Sequence, residues 1–350
     1  MRNGRNIRAM NRRSLILGAA AASCLAAPRI AHAGLGDILV DARRLDRLRA
    51  VAVWCEDGTG GKEVAAQGYG AFTPDDPTNI KSASKSVISA LAGIAIGKGL
   101  LEGPDQRIAP LLRRDLPADP DPRLQEITLG QLLSMQAGLE RQSGPNYGRW
   151  VASDNWVRAA LAAPFVQDPG QRMQYSTAST HLVAAILTRI TERPLLETAR
   201  DWLGQIPGFR ITGWDRDPQG IYLGGNQMAM STRSLLAFGA AYARHGMAGG
   251  RQVIPETWIE DSWRRRTRSV FSGQGYGYGW FIGSMAGRPV RFGWGYGGQM
   301  IYVLPRMGDR AAMAIAITSD PDSPSARTGY RDDLHALARE LVASADGITR

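Results

Sequence analysis

The sequence predicts an α+β fold: one antiparallel sheet built from the N- and C-terminal segments and flanked by helices, with a mostly helical region inserted between them. Three observations carry this reading. Strand-like runs fall in residues 34–80 and again in 270–345, while helical patterns dominate 81–269. The stretch from Val87 to Ile96 is apolar on every face, which marks a helix buried inside a sizeable core and not one lying on a surface. A chain of 350 residues that is 44% hydrophobic is large enough to bury it.

In chain order, residues 1–33 read as an export signal outside the fold. Five arginines and no acid precede a short apolar run, Ala31-His32-Ala33 fits a cleavage site, and Asn11-Arg12-Arg13-Ser14-Leu15-Ile16-Leu17 resembles a twin-arginine signal, implying a periplasmic or secreted protein. Residues 34–345 read as a single domain. Within it, 37–49 is expected to be an amphipathic helix, and 51–55 with 63–69 a hairpin around Asp57-Gly58-Thr59-Gly60-Gly61. Helices are expected at 130–135, 154–162, 177–191, 195–202, 231–244 and 255–264. Strands follow at 276–282, 290–292, 300–304 and 311–318, and a last helix at 330–343.

Charge and cysteine content narrow the function classes. The formal charge of +10 owes six arginines to the export segment, so the mature domain carries +4, a balance that implies no nucleic-acid partner. No integral membrane span is expected in the mature chain, and oligomeric state is not readable. Once Cys24 leaves with the signal only Cys55 remains, which excludes an intramolecular disulfide. His181, His245 and His335 lack metal-ligand spacing, and there is no H-E-x-x-H, C-x-x-C or G-x-S-x-G, so no metal or other cofactor is expected. The run Arg264-Arg265-Arg266-Thr267-Arg268 reads as a solvated helix end.

The chemistry starts at Ser82 and Lys85, three residues apart at the front of the buried helix. That spacing puts both side chains on one face, near the unpaired N–H groups of the first turn. A serine hydroxyl is a weak nucleophile until its proton is removed, and burial lowers a lysine toward the range in which it removes one. S-x-x-K by itself is a common spacing, and a capped core helix with a solvated lysine satisfies it equally well.

Further stretches decide. Residues 81–101, then Ile127-Thr128-Leu129-Gly130-Gln131-Leu132-Leu133-Ser134-Met135-Gln136-Ala137-Gly138-Leu139, Pro169-Gly170-Gln171-Arg172-Met173-Gln174-Tyr175-Ser176-Thr177, Met230-Ser231-Thr232 and Gly297-Gly298-Gln299 occur in the order seen in the serine β-lactamase and penicillin-binding-protein superfamily. The chain most resembles its class C-like esterase branch, which includes 6-aminohexanoate-dimer hydrolases, and the resemblance runs through residues 40–342. It implies that Ser82 is the nucleophile, Lys85 its helix partner, and Tyr175 the tyrosine of the second motif. Thr177 stands where that motif usually has asparagine, keeping a hydroxyl but losing the amide. A rival S-D-N at Ser153-Asp154-Asn155 reads as a helix start capped by Ser153 or Asp154.

In the third motif the sequence departs from its relatives. The lysine of Lys-Thr-Gly is missing, and Gly293-Trp294-Gly295 followed by Tyr296 is the matching stretch. Gly295 and Tyr296 are expected to form the strand beside the substrate, with a backbone N–H near Tyr296 joining that of Ser82 as an oxyanion hole. Thr177, Trp294 and Trp150 are candidate substrate contacts, and Trp150, Trp156 and Trp280 either line an apolar acyl pocket or pack in the core. The resemblance implies a serine hydrolase for a small-molecule ester or amide. A D,D-carboxypeptidase, a weak β-lactamase and a catalytically silent recognition module are the alternatives.

Overall fold

The structure, a computed structural model, describes Met1 and residues 34–348. The expected export signal lies outside the described residues. In chain order the elements are α1 (Leu35–Asp41), β1 (Leu48–Cys55), β2 (Lys62–Gly68), β3 (Pro77–Asn79) and α2 (Ser84–Gly97), the last entered through a 3₁₀ turn at Lys81–Ala83. Then come α3 (Leu129–Leu133), α4 (Tyr147–Val151), α5 (Trp156–Leu161), α6 (Thr177–Thr191) and α7 (Leu195–Leu203). They are followed by β4 (Gly213–Trp214), β5 (Met228–Ser231), α8 (Thr232–Ala243), β6 (Met247–Ala248), β7 (Arg251–Gln252) and α9 (Glu256–Ser262). The chain closes with β8 (Thr267–Arg268), β9 (Gly275–Tyr276), β10 (Phe281–Met285), β11 (Arg288–Gly295), β12 (Gln299–Leu304), β13 (Met313–Ser319) and α10 (Tyr330–Ile348).

Both ends of the chain meet in one antiparallel sheet, in the order β2-β1-β13-β12-β11-β10-β9-β8. The junction is β1 against β13, with Val53 opposite Ile315 and Ala52 opposite Ala316. Alternation along these strands sends side chains to two different cores. Ala52, Trp54, Ala314 and Ala316 pack with α2 and α8 on one face, while Val51, Val53, Ile315 and Ile317 pack with α1 and α10 on the other. Because helices cover both faces, β13 is buried along its whole length.

The buried helix α2 is tied to the sheet by polar groups as well as by packing. Ser86 and Ser89 donate to the carbonyls of Gly279 and Tyr278, both at 2.7 Å. These bonds give two buried hydroxyls and two turn carbonyls their partners. Gly93 is required by close approach, since a Cβ there would lie 2.1 Å from the Trp258 indole of α9.

Three expectations need correction. The helix expected at 37–49 ends at Asp41, because Leu48 already belongs to a central strand. The strand expected at 276–282 is two strands, β9 and β10, joined by a turn in which Gly277 N–H donates to the Trp280 carbonyl and Gly279 takes φ +78°. The helix around Asn155 begins later than expected: Asn155 itself caps α5, its side chain accepting from Arg158 N–H at 2.9 Å, while Ser153 Oγ donates to the Trp150 carbonyl. A small sheet, β3-β5-β4, has no counterpart in the sequence reading.

Candidate active site

Ser82 sits in the 3₁₀ turn ahead of α2. The preceding residue, Lys81, is held at φ +49°, a left-handed conformation uncommon for a residue with a side chain. Its N–H donates to Asn79 Oδ1 at 2.9 Å, its carbonyl accepts from Ser84 Oγ at 2.7 Å, and its ammonium reaches Asp322 at 3.3 Å. These contacts hold the turn that presents Ser82, which is half-buried.

One helical turn on, Lys85 is 1% exposed. Its Nζ lies 3.1 Å from Ser82 Oγ, 3.4 Å from Thr177 Oγ1 and 2.7 Å from the Gly225 carbonyl oxygen. Burial alone lowers its pKa from the usual lysine range to about 7, because the uncharged amine is the form that loses least on leaving water. The Tyr175 ring centroid is 5.3 Å from Nζ. Burial pushes the Tyr175 phenol up to about 12, while a hydrogen bond with Ser82 acts in the opposite direction. The ring is set by Phe281, Tyr276 and Phe271.

Thr177 is the first residue of α6, and Ser143 completes its surroundings. Ser143 Oγ accepts from Thr177 N–H at 2.8 Å and lies 3.0 Å from Thr177 Oγ1. Gln142 N–H donates to Ser176 Oγ at 3.0 Å, and Gln174 N–H to the Met135 carbonyl at 2.7 Å. The Tyr175 stretch is thereby clamped by the stretch after α3. Sequence reasoning missed Ser143 and Gly225, which come from loops with no motif of their own. Gly225 has a visible physical requirement, since at φ +86° a Cβ would lie 2.8 Å from Lys85 Nζ.

The strand expected beside Ser82 is β11. A Cβ on Gly295 would come within 2.3 Å of the Ile80 carbonyl, and one on Gly293 within 2.9 Å of Ser86 Oγ, so the two glycines let the strand lie against the start of α2. β10 starts opposite Phe292, which leaves Gly293–Gly295 paired on the β12 side alone. Tyr296 occupies the following turn and is 49% exposed. Trp294 points to the other face, packing with Phe281 and under Arg331 of α10, and is not brought to Ser82. Trp150 is a second correction. It is buried against Trp156 and His181 with its indole N–H donated to the Trp156 carbonyl, so it is core and not a pocket wall. Trp280 is likewise fully buried, among Phe238 and Tyr242.

A family model described as Beta-lactamase matches residues 46–338, most of the chain and all of the residues gathered around Ser82. The chain belongs to the β-lactamase family. This β-lactamase-family protein is 23% identical over 292 residues to the 6-aminohexanoate-dimer hydrolase of Paenarthrobacter ureafaciens, covering 75% of this chain and 72% of that one. Among solved structures it is similar to a family VIII carboxylesterase, with TM-score 0.70, 14% identity and coverage of 89% of this chain and 96% of that one. It is also similar to a D-stereospecific amidohydrolase from Streptomyces sp., with TM-score 0.62, 16% identity and coverage of 88% and 98%. The β-lactamase-family fold is thus one that hydrolases share, with esterase and amidase among the neighbours.

Proposed function

We propose that this β-lactamase-family protein is a serine hydrolase that cleaves an ester or small amide through an acyl-enzyme, with Ser82 as nucleophile. The observation that carries the reading is the buried Lys85 amine, lowered to about 7 and 3.1 Å from Ser82 Oγ. A lysine in that state is uncharged for about half of the molecules at neutral pH and takes the serine proton as Oγ bonds to the substrate carbonyl carbon. The N–H groups of Ser82 and Tyr296 are the proposed oxyanion donors.

Tyr175, pushed up to about 12, keeps its proton at neutral pH. Its proposed role is therefore to pass the proton from Lys85 to the leaving group. Water then attacks the acyl carbonyl, its proton travels through Tyr175 to Lys85, and Lys85 returns a proton to Ser82 Oγ as the acid departs. The missing third-motif lysine removes the cation that meets a β-lactam carboxylate, which favours esters and small amides. Residues 1–33 are proposed to direct export to the periplasm or beyond, which N-terminal sequencing of the exported protein would test.

The deciding experiment is a rapid-mixing assay with a p-nitrophenyl ester, followed by mass spectrometry of the quenched protein. A burst of one equivalent with an acyl mass on Ser82, both absent in Ser82→Ala, is the expected result. No burst and no adduct with esters, amides or penicillins would leave a recognition module instead.

A further inference from the structure

α6 carries a second polar side chain one turn beyond Thr177, on the same face, and the reaction proposed above does not yet use it. His181 is fully buried, as is its partner Asp217, whose Oδ2 lies 3.0 Å from His181 Nε2. The other ring nitrogen, Nδ1, accepts from the Gly224 N–H at 3.3 Å. Asp217 Oδ1 accepts from the N–H groups of Gln219 and Ile221, both at 2.8 Å. The pattern fixes the tautomer: Nδ1 is an acceptor, so the ring proton is on Nε2 and is donated to Asp217. Trp150 and Trp156 pack on the imidazole at 5.5 and 5.7 Å between ring centroids.

The residue after Gly224 is Gly225, whose carbonyl receives Lys85 Nζ at 2.7 Å. The loop is pressed against α6, for a Cβ on Gly224 would lie 2.2 Å from the Thr180 carbonyl and one on Gly225 2.4 Å from Thr180 Oγ1. When Lys85 takes the Ser82 proton it becomes a buried ammonium with three donors, and Ser82 Oγ, Thr177 Oγ1 and the Gly225 carbonyl are three acceptors around it. Gly225 makes the shortest of these contacts. A buried cation without its acceptor is costly, so the placement of this carbonyl bears on the transition state more than on substrate binding.

We propose that His181 and Asp217 are positioning residues that act through the Gly224–Gly225 backbone to hold the carbonyl facing Lys85 as it becomes charged. The inference rests on the Ser82–Lys85 reading. Asp217→Asn tests it at almost constant volume. The two backbone N–H groups keep the amide oxygen at the Oδ1 position, so the NH₂ faces His181 Nε2, drives the ring proton to Nδ1 and sets it against the Gly224 N–H.

The expected result, per burst-competent site with a p-nitrophenyl ester, is an acylation rate at least about tenfold lower, with the half-saturating ester concentration within about twofold of wild type. His181→Asn supplies an amide oxygen in place of Nδ1 and is expected to acylate within about threefold of wild type, whereas His181→Leu should match Asp217→Asn. Wild-type acylation in Asp217→Asn, or equal losses in His181→Asn and His181→Leu, would overturn the role. If Asp217→Asn does not fold, the two His181 variants carry the test. A burst that persists in Ser82→Ala would instead sink the reading on which this one rests.

Discussion

At the scale of single residues, Lys85 is where chemistry and stability pull apart. In the unfolded chain its amine binds a proton up to a pH of about 10.4, whereas in the fold it releases that proton near 7. The folded state therefore binds fewer protons between these values, and stability rises with pH across that window. At about 1.4 kcal/mol per unit, burial of this side chain costs several kcal/mol at neutral pH. Lys85→Met should accordingly lose acylation by about a thousandfold or more while melting at the wild-type temperature or above it, as read by calorimetry and burst assay on one preparation. In the wild type, kcat/KM should fall as pH drops through about 7, where Lys85 gains its proton. A profile flat between pH 5 and 8 would remove Lys85 from the role of base.

Elements explain which parts of the site could be read beforehand. Ser82 and Lys85 lie on one helix, so their proximity is a matter of spacing, and Tyr175 follows from the motif that opens α6. Gly225, Ser143 and Asp217 come from loops, whose packing no periodicity encodes, whereas His181 shares a face of α6 with Thr177 and lacked only the loop partner that gives it a role. The glycines at 275, 277 and 279 read as one strand because the aromatics between them alternate, yet Gly279 at φ +78° turns the chain onto α2. Trp294 and Trp150 were misplaced for a related reason: nearness in sequence to a motif does not say which face of a strand or helix a ring leaves from. The tie between α2 and that turn can be tested separately from catalysis. Ser89→Ala strips the Tyr278 carbonyl of its buried donor and should cost about 1–3 kcal/mol in chemical denaturation, with the ester burst retained in the folded fraction. Phe271, 53% exposed and set edge-on to Tyr175 with the Arg141 guanidinium 5.5 Å from its ring, borders the site. Phe271→Ala should raise KM for apolar acyl esters severalfold and leave the burst amplitude intact.

For the whole molecule, the sequence-based picture of one sheet made from both ends is borne out, and the match of the family model follows the same span. Its stability rests on two cores separated by that sheet. Leu334, Leu337, Leu341 and Val342 of α10 are all fully buried against β12 and β13, and none of them approaches Ser82. Ending the chain after Ser319 should therefore yield insoluble protein, although each residue assigned a part in the chemistry is retained. Cys55, the free thiol among the described residues, is pushed up to about 11 by burial, so it should resist alkylation at pH 8 until the chain is denatured.

The register of β1 against β13 also sets an order of events for the newborn polypeptide. Its earliest ribbon of valine, alanine and tryptophan leaves the ribosome long before the segment that will lie alongside it has been translated. Until then this ribbon has β2 on one flank and nothing on the other, so it is the place where a chaperone would be expected to hold the nascent protein.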